Sequence, residues 1–392
     1  MDQAFIKVLF SEGVRIVTAP LRCMPVKNNR ILFTGLTGGN TYDYSCNPKY
    51  VYEYLKKTYP GRFEYVWAVS DPSKYPFLEK EGVKLVKHYS FSSFTQLLTS
   101  KVIITNGSYA PWFPFRKKQY VINTWHGGGA YKNVENETPT ANWATRKRAR
   151  FCVENIDLFL ASCRRQEELM IRTTYRYDKD ILRAGTPRND MLVNGDTRAA
   201  AEAVRSYYKI PAGDKIVLFA PTYRNLKTPA VMDADAVLAS LEEDGQKWHF
   251  ISRYHRYQNS DSNVSVTGSR ILDGASYPDM QQLLCAADVM ITDFSSCVWD
   301  YSFLKRPCLL FVPDEEEYVS SNGFYVPLNE WPFPREKSLP ALCTKIRALL
   351  NDPDAKAAYL ADVQRHLDDL GSYEAGEAAK AVAEKILEQT GV

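Results

Sequence analysis

The 392-residue sequence lacks several patterns by which common protein classes are recognised. No stretch reaches the ~18 apolar residues of a transmembrane helix. None of its eight cysteines forms a CxxC pair or lies near a histidine at zinc-ligand spacing. Because the cysteines are scattered among apolar neighbours, we expect buried, reduced thiols. There is no P-loop, no GxSxG elbow and no RNA-binding signature. We therefore expect no metal site, no cofactor and no nucleic-acid partner.

Length and composition indicate a globular protein of two domains, and the charge is unevenly distributed between its halves. Apolar residues make up 45% of the chain and charged residues 24%, values typical of globular proteins. Residues 1–190 contain 29 Lys and Arg against 17 Asp and Glu, a net charge of +12, whereas residues 191–392 carry −9. The charge alone therefore predicts that the first half contacts something anionic: phospholipid, polyphosphate or nucleic acid.

Short apolar runs alternate with helical patterns through both halves, and this alternation predicts parallel sheets built from βαβ units. Turn formers cluster at Gly185–Asp190, where the charge also changes sign. We expect an α/β protein with two Rossmann-like, doubly wound domains, residues 1–190 and 191–392, the second ending in helices. Two such domains facing each other across a cleft form the GT-B architecture, which by itself does not specify the reaction. The predicted strands are Arg30–Thr34, Glu64–Val69, Val83–Leu85, Val102–Thr105, Tyr120–Thr124, Leu158–Ala161, Ile181–Ala184, Ile216–Ala220, His249–Ser252, Ile271–Leu272, Val289–Thr292 and Cys308–Val312.

A histidine beside three glycines is the first candidate for chemistry. His126 follows the predicted strand Tyr120–Thr124 and precedes Gly127, Gly128 and Gly129. Glycines allow a backbone to approach a ligand closely and expose its N–H groups. A neutral imidazole at a strand end can take a proton from an alcohol near neutral pH. We predict that His126 is catalytic, with a structural glycine turn as the alternative.

Strand ends in the second half carry side chains suited to a diphosphate. A helix is predicted to open after Val289–Thr292, and its unpaired N–H groups would attract an anion. A carboxylate one turn into that helix could accept hydrogen bonds from a ribose or polyol. Ordinary helix caps and solvated basic loops are the alternatives. The candidate residues are Thr222, Arg224, Arg253, His255, Ser295, Ser296 and Asp300.

Motifs in a fixed order run from near the N-terminus almost to the C-terminus. They are Pro25–Phe33, Gly39–Pro48, Lys49–Leu55, Thr124–Gly127, Gly185–Asp190, Ala220–Arg224, Ile291–Ser296, Lys305–Pro307 and Glu317–Tyr318. In this combination the chain resembles the CDP-glycerol glycerophosphotransferase family of teichoic acid and capsule synthesis.

The resemblance implies transfer of glycerol phosphate from CDP-glycerol to a hydroxyl group of a lipid-linked or polymeric acceptor, with release of CMP. His126 and His255 would be the essential histidines, and which of them is the base stays open. By the same pattern, the CDP-glycerol site would include Arg188, Pro221, Thr222, Arg253, Ser295, Ser296 and Asp300.

The sequence also departs from the family pattern. Many members have His-Gly-Thr-Pro where this chain has His126-Gly127-Gly128-Gly129. Many also have His-Pro where this chain has His255-Arg256. These departures leave CDP-ribitol open as the donor.

Two other classes compete with this interpretation: a nucleotide-sugar glycosyltransferase of the same architecture, and a non-catalytic relative that binds polymer or membrane. Retention of both histidines and of Ser295 and Ser296 favours an enzyme.

The charge of residues 1–190 predicts a peripheral location on the cytoplasmic face of the membrane, with this half facing the acceptor. Trp112–Lys118, which combines aromatic residues with three cations, is the expected contact with an anionic membrane surface.

Overall fold

The computed structural model describes residues 13, 16, 18–38, 41–107, 113, 115–134, 143, 150, 153–222, 232–243, 245–254 and 270–392. The chain folds as two compact units. Unit 1 comprises Met1–Gly127, Asn133–Asp190 and Tyr373–Val392, and unit 2 comprises Gly128–Lys132 and Met191–Ser372. The expected division at residue 190 matches one boundary, but the last twenty residues lie in unit 1 and a five-residue segment after His126 lies in unit 2.

Unit 1 contains a seven-stranded sheet in the order β5-β4-β1-β6-β7-β8-β9, in which all neighbouring strands are parallel. A short antiparallel pair, β2 and β3, follows the first strand. The inner strands β6 and β8 are buried along nearly their whole length because both faces of the sheet are covered there, whereas the edge strands β5 and β9 are more exposed. The strands are β1 Lys27–Thr34, β2 Leu36–Gly38, β3 Thr41–Tyr42, β4 Glu64–Val69, β5 Lys84–Lys87, β6 Ser100–Thr105, β7 Tyr120–Asn123, β8 Leu158–Ala161 and β9 Asp180–Arg183.

Unit 2 contains a six-stranded parallel sheet in the order β12-β11-β10-β13-β14-β15. In both sheets the loops at the carboxyl ends of the strands are the expected places for a site. The strands are β10 Lys215–Phe219, β11 Trp248–Ser252, β12 Ile271–Asp273, β13 Val289–Thr292, β14 Cys308–Phe311 and β15 Arg335–Glu336. Every predicted strand is present with small differences at its ends, whereas β2, β3 and β15 were not predicted.

Helices connect the strands, and several begin at an acidic or hydroxyl cap. Asp196, Asp233, Asp279 and Asp352 each accept hydrogen bonds from the first turn that follows them. The α-helices are α1 Cys46–Thr58, α2 Pro76–Lys80, α3 Phe91–Thr99, α4 Asp190–Val193, α5 Thr197–Tyr208, α6 Ala234–Leu241, α7 Met280–Ala286, α8 Cys297–Ser302, α9 Glu315–Asn322, α10 Leu339–Asn351, α11 Pro353–Leu370 and α12 Ala378–Thr390. The π-helical segment is Gln166–Thr174, and the 3-10 turns are Ala19–Cys23, Pro72–Lys74, Pro187–Asn189 and Leu328–Glu330.

Cysteine environments are mixed. Cys163, Cys285, Cys297, Cys308 and Cys343 are buried and free, Cys46 is half-buried, and Cys23 is exposed. The predicted N-terminal apolar helix lies largely outside the described residues. Within the described ranges, no helix is both long and apolar enough to cross a membrane.

The C-terminal helix α12 belongs to the core of unit 1. Val382, Ala383 and Ile386 are fully buried there, in one cluster with residues of β1, β4, β6, β7, β8 and α1. Burying these apolar side chains explains why the helix lies with the first sheet although it comes last in the chain. The expectation that residues 191–392 form one domain is therefore wrong for this helix.

We predict that Ile386→Ala lowers the free energy of unfolding of unit 1 by about 2–5 kcal/mol, because it leaves a cavity in a closed core. Chemical denaturation measures the loss, and amide hydrogen exchange locates it. Exchange should accelerate in β1 and β6 but not in β10. Glu384→Ala, an exposed position on the same helix, is the matched control and should change stability by about 0.5 kcal/mol or less. Equal acceleration in β10 would contradict the assignment of α12 to unit 1.

Candidate functional site

His126 lies in the loop after β7 of unit 1, and its side chain is exposed. Its ring nitrogen Nδ1 lies 2.8 Å from the carbonyl oxygen of Asn106, the residue after β6. A carbonyl oxygen only accepts, so Nδ1 carries the hydrogen in this contact. The neutral ring then has its lone pair on Nε2. Nε2 is then the nitrogen that can accept a proton, and a backbone group of a neighbouring strand end selects this tautomer.

The backbone around His126 is held through its carbonyl groups. All four carbonyls of residues 124–127 accept a hydrogen bond from a side chain. Asn47 Nδ2 donates to the first two, at 3.0 and 2.8 Å. Arg188 Nη1 donates to the third at 2.6 Å, and Gln166 Nε2 to the fourth at 2.8 Å. Buried carbonyls need such donors, and here side chains from distant parts of the chain supply them.

Arg188 lies inside unit 1 and is 6% exposed. Besides the carbonyl of His126, its guanidinium contacts Cys46 Sγ at 3.1 Å, and its backbone N–H donates to Asn47 Oδ1 at 3.1 Å. These contacts join the Gly185–Asp190 motif to the start of α1 and to the His126 loop. The expected place of Arg188 in a CDP-glycerol site stays a prediction.

The glycines after His126 have different surroundings. Gly127 is half-buried, whereas Gly128, in unit 2, is buried. A Cβ atom on Gly128 would lie 2.0 Å from Cδ1 of Trp299. Gly129 has a φ of +79°, and a Cβ there would meet the ring of Tyr131 at 2.4 Å. Close packing of aromatic rings therefore suffices to require glycine at 128 and 129, and a role of Gly127 and Gly128 in binding substrate stays a prediction.

In unit 2, Asp293 connects two of the predicted strand-end loops. This carboxylate follows β13 and is 1% exposed. It accepts the backbone N–H of Thr222 at 2.8 Å and the Thr222 hydroxyl at 2.6 Å. Thr222 and the preceding Pro221 are half-buried at the end of β10. Thr222 is therefore held in one orientation at the carboxyl edge of the sheet.

Ser295 and Ser296 precede α8, as predicted, and both are half-buried. Neither forms a strong cap: Ser296 makes no side-chain capping bond, and Ser295 Oγ accepts the N–H of Cys297 at a long 3.4 Å. Asp300, within α8, is 3% exposed and accepts a bond from Gln281 Nε2 at 3.1 Å. Asp300 thus has a structural partner inside unit 2, and its role in binding a ribose or polyol stays a prediction.

Arg253 follows β11 and is half-buried. Its Nη1 donates to the carbonyls of Gly274 and Tyr277, at 2.6 and 2.8 Å, and so braces the loop after β12. His255 and Arg224, the other basic candidates of this region, lie outside the described residues. Among the residues that the structure describes, no three His, Cys, Asp or Glu side chains are grouped so as to hold a metal ion.

Sequence reasoning did not single out Asn47, Asn106 and Gln166 as residues of this site. Asn47 is 77 residues from the first carbonyl it holds, and Gln166 is 39 residues from its own. The one local indication is that Asn106 follows a buried strand, where polar residues often face a site. The contacts of Asn47 and Gln166 form only when distant segments fold together, so no sequence spacing indicates them.

Comparison with known proteins gives the wider context. The teichoic acid poly(glycerol phosphate) polymerase of Bacillus subtilis (strain 168) is 29% identical over 346 residues, which cover 85% of this chain and 45% of that protein. The chain thus spans about half the length of that relative. The teichoic acid glycerol-phosphate transferase of Staphylococcus aureus (strain NCTC 8325 / PS 47) is 24% identical over 398 residues, covering 97% of this chain and 98% of the relative.

The solved structure of the wall teichoic acid polymerase TagF is similar over 99% of this chain and 98% of its own, with a TM-score of 0.82 at 24% identity. This likeness confirms the expected GT-B-like α/β fold. A family model described as CDP-glycerol:poly(glycerophosphate) glycerophosphotransferase matches residues 16–388. Because that match takes in almost the whole sequence, this chain belongs to the CDP-glycerol:poly(glycerophosphate) glycerophosphotransferase family.

Proposed function

We propose that this chain transfers glycerol phosphate from CDP-glycerol to a hydroxyl group of a lipid-linked or polymeric acceptor and releases CMP. The reaction would serve the synthesis of teichoic acid or a capsule-type polymer. Family membership supports the donor and the class of acceptor. One observation carries the proposal for this chain: His126 is exposed, and its contact with Asn106 places the lone pair of the neutral ring on Nε2.

His126 has the role of general base in this proposal. The acceptor oxygen loses its proton to Nε2 and forms a bond to the β-phosphorus of CDP-glycerol. The bond from that phosphorus to the bridging oxygen breaks, and CMP leaves with the electron pair. Catalysis of this kind depends mainly on positioning and on stabilising charge, which fits a histidine whose loop is held by four side-chain hydrogen bonds.

Residues of unit 2 have the role of binding the donor. The hydroxyls of Ser295 and Ser296 and the guanidinium of Arg253 are hydrogen-bond donors suited to a diphosphate. The Thr222 hydroxyl already donates its one hydrogen to Asp293, so Thr222 has the role of lining the site in a fixed orientation. The proposed binding site for CDP-glycerol also includes Pro221, Arg224, His255 and Asp300. Of these, His255 has the role of stabilising the departing CMP.

We further propose that the reaction needs no metal ion. In the described residues, the strand-end carboxylate Asp293 accepts both donors of Thr222, and cationic and hydroxyl groups are available to neutralise the diphosphate.

The function is tested by incubating the purified protein with CDP-glycerol and a glycerol phosphate oligomer, both with Mg²⁺ and in excess EDTA, and following the release of CMP. CDP-ribitol and UDP-sugars are run in parallel. Preferential turnover of CDP-ribitol would reassign the donor, and turnover of a UDP-sugar would identify a glycosyltransferase. No turnover of any donor would favour a non-catalytic, polymer-binding relative. Activity that disappears in EDTA and returns with Mg²⁺ would show a metal site.

We predict that His126→Ala lowers kcat for CMP release by about 10²–10⁴-fold, the range typical of a general base. The fold should be kept, because the side chain is exposed. Circular dichroism and thermal melting check the fold. Phe91→Ala, which truncates an exposed aromatic side chain of the same unit, is the control and should keep wild-type turnover. A folded His126→Ala protein with more than about a tenth of wild-type turnover would exclude the general-base role.

We propose that the chain acts at the cytoplasmic face of the membrane and that unit 1 contacts the anionic surface. The net charge of residues 1–190 supports this, but the expected contact segment needs revision. Phe113 is 3% exposed and belongs to the interior, and Arg116 donates to the carbonyls of Met24 and Leu98. Lys117 and Lys118 are exposed, and these two cations are left as the candidates for electrostatic contact.

We predict that replacing both Lys117 and Lys118 by Gln weakens binding to anionic vesicles by roughly tenfold or more at low salt, since each cation near such a surface contributes about 1 kcal/mol. Co-sedimentation with phosphatidylglycerol vesicles measures the effect, which should fade as salt is raised. Lys209→Gln with Lys345→Gln makes the same charge change at exposed positions of unit 2 and should have little effect. Equal binding to neutral and anionic vesicles would contradict electrostatic docking.

A further inference from the structure

The carboxylate of Glu374 lies against the Gly185–Asp190 motif, within unit 1. Its Oε2 accepts the backbone N–H of Thr186 at 2.9 Å, and its Oε1 accepts the Thr186 hydroxyl at 2.7 Å and Asn189 Nδ2 at 3.2 Å. Thr186 is 2% exposed and Asn189 is fully buried. A buried turn thus donates three hydrogen bonds to one carboxylate near the C-terminal end of the chain.

The packing of Gly185 shows how closely this carboxylate and the turn are fitted. Gly185 has a φ of +82°, and a Cβ there would lie 2.4 Å from Oε2 of Glu374. Only glycine satisfies both conditions. The turn and the carboxylate therefore fit each other without room for a side chain at position 185.

Arg188 lies on the same turn, in the 3-10 segment Pro187–Asn189, between the two residues that Glu374 holds. From there its Nη1 donates at 2.6 Å to the carbonyl of His126. Two short steps therefore connect Glu374 to the histidine: from the carboxylate to the turn, and from the arginine of the turn to the His126 backbone.

We propose that Glu374 is a positioning residue for His126, acting through the Arg188 turn; this rests on the proposed function of His126 as the base. The Gly185–Asp190 motif then serves to orient the base, through the bond from Arg188 to the His126 carbonyl.

Glu374 is not needed to hold the C-terminal helix α12 in place, because other residues do so. Asp190 already accepts the N–H groups of Ala378 and Ala379, at 2.9 and 2.8 Å, at the start of α12. Burial raises the pKa of Asp190 to about 6, against the lowering effect of those two N–H groups. The apolar contacts of Ile386 and its neighbours hold the helix as well. The three hydrogen bonds described above are donated to Glu374 by the turn and not by α12.

Glu374→Gln is the sharpest substitution, because it keeps the size of the side chain. One of the two terminal atoms becomes an NH2 group, which cannot accept and which faces the donors of Thr186 or Asn189. The turn loosens, Arg188 loses its fixed position, and the His126 carbonyl loses its donor. The Nδ1 contact with Asn106 then weakens, and the Nε2–H tautomer, which cannot act as the base, gains population.

The experiment measures kcat and KM for CDP-glycerol together with the tautomer of His126. We expect Glu374→Gln to lower kcat roughly ten- to a hundredfold, as small misplacements of catalytic groups do, with KM for CDP-glycerol within about twofold of wild type. Nitrogen-15 NMR of histidine-labelled protein reports the tautomer. The chain has five histidines, and the His126→Ala spectrum assigns the resonance. We expect Nδ1–H in wild type and a mixture in the variant.

Glu384→Gln, the same chemical change at an exposed position of α12, is the matched control and should leave kcat, KM and the tautomer unchanged. Thr186→Val removes one of the three bonds and keeps the shape of the side chain. It should also lower kcat, but by a smaller factor than Glu374→Gln. It serves as the decisive variant if Glu374→Gln does not fold.

The two proposals fail in different ways. If wild-type protein releases no CMP from CDP-glycerol while its His126 is the Nδ1–H tautomer, the proposed function fails. If wild type is active and the folded Glu374→Gln and Thr186→Val proteins keep wild-type kcat and tautomer, the positioning role is overturned. A large rise in KM for CDP-glycerol with little change in kcat would also overturn it, since that result places the turn at the donor.

Discussion

The backbone carbonyls of residues 124–127 impose the constraint on which the site of unit 1 depends. They lie just beyond the end of β7, and a carbonyl withdrawn from water without a donor is costly. Asn47, Arg188 and Gln166 meet this need from three distant segments. Each of them is buried. Polar groups that would destabilise an apolar interior therefore become the scaffold that orients one exposed imidazole.

The strands could be predicted from sequence because parallel strands covered on both faces are apolar runs bounded by turn formers. Glu64–Val69, Leu158–Ala161 and Val289–Thr292 match to the residue. The allocation of α12 could not be predicted in this way. Its apolar periodicity shows that Ile386 faces a core, but periodicity does not say which core, and contact with β1 and α1 decides it.

Residue type at the candidate site was predicted better than residue role. Histidine at a strand end, hydroxyls before α8 and glycines after His126 all lie where the sequence suggested. However, close packing against the indole of Trp299 is enough to require glycine at position 128. Arg188 donates a hydrogen bond to a carbonyl inside unit 1, which is a structural contact. Glycine and arginine each serve packing and binding equally well, so their presence in a motif does not distinguish the two. Phe113 is the same case: an aromatic residue beside cations suits a membrane surface, yet this one fills the interior.

The partner of His126 also bears on the charge balance of the proposed reaction. In a Ser-His-Asp triad a carboxylate sets the histidine tautomer and stabilises the imidazolium that forms. Here the carbonyl of Asn106 sets the tautomer, but it brings a dipole and no full charge. In the proposed reaction the substrate can also balance the positive charge that the base gains. A phosphoryl donor is itself anionic where the acceptor oxygen attacks, and its charge persists through the transition state. In the proposed reaction the anionic substrate can therefore contribute charge of the kind that a carboxylate contributes in acyl transfer.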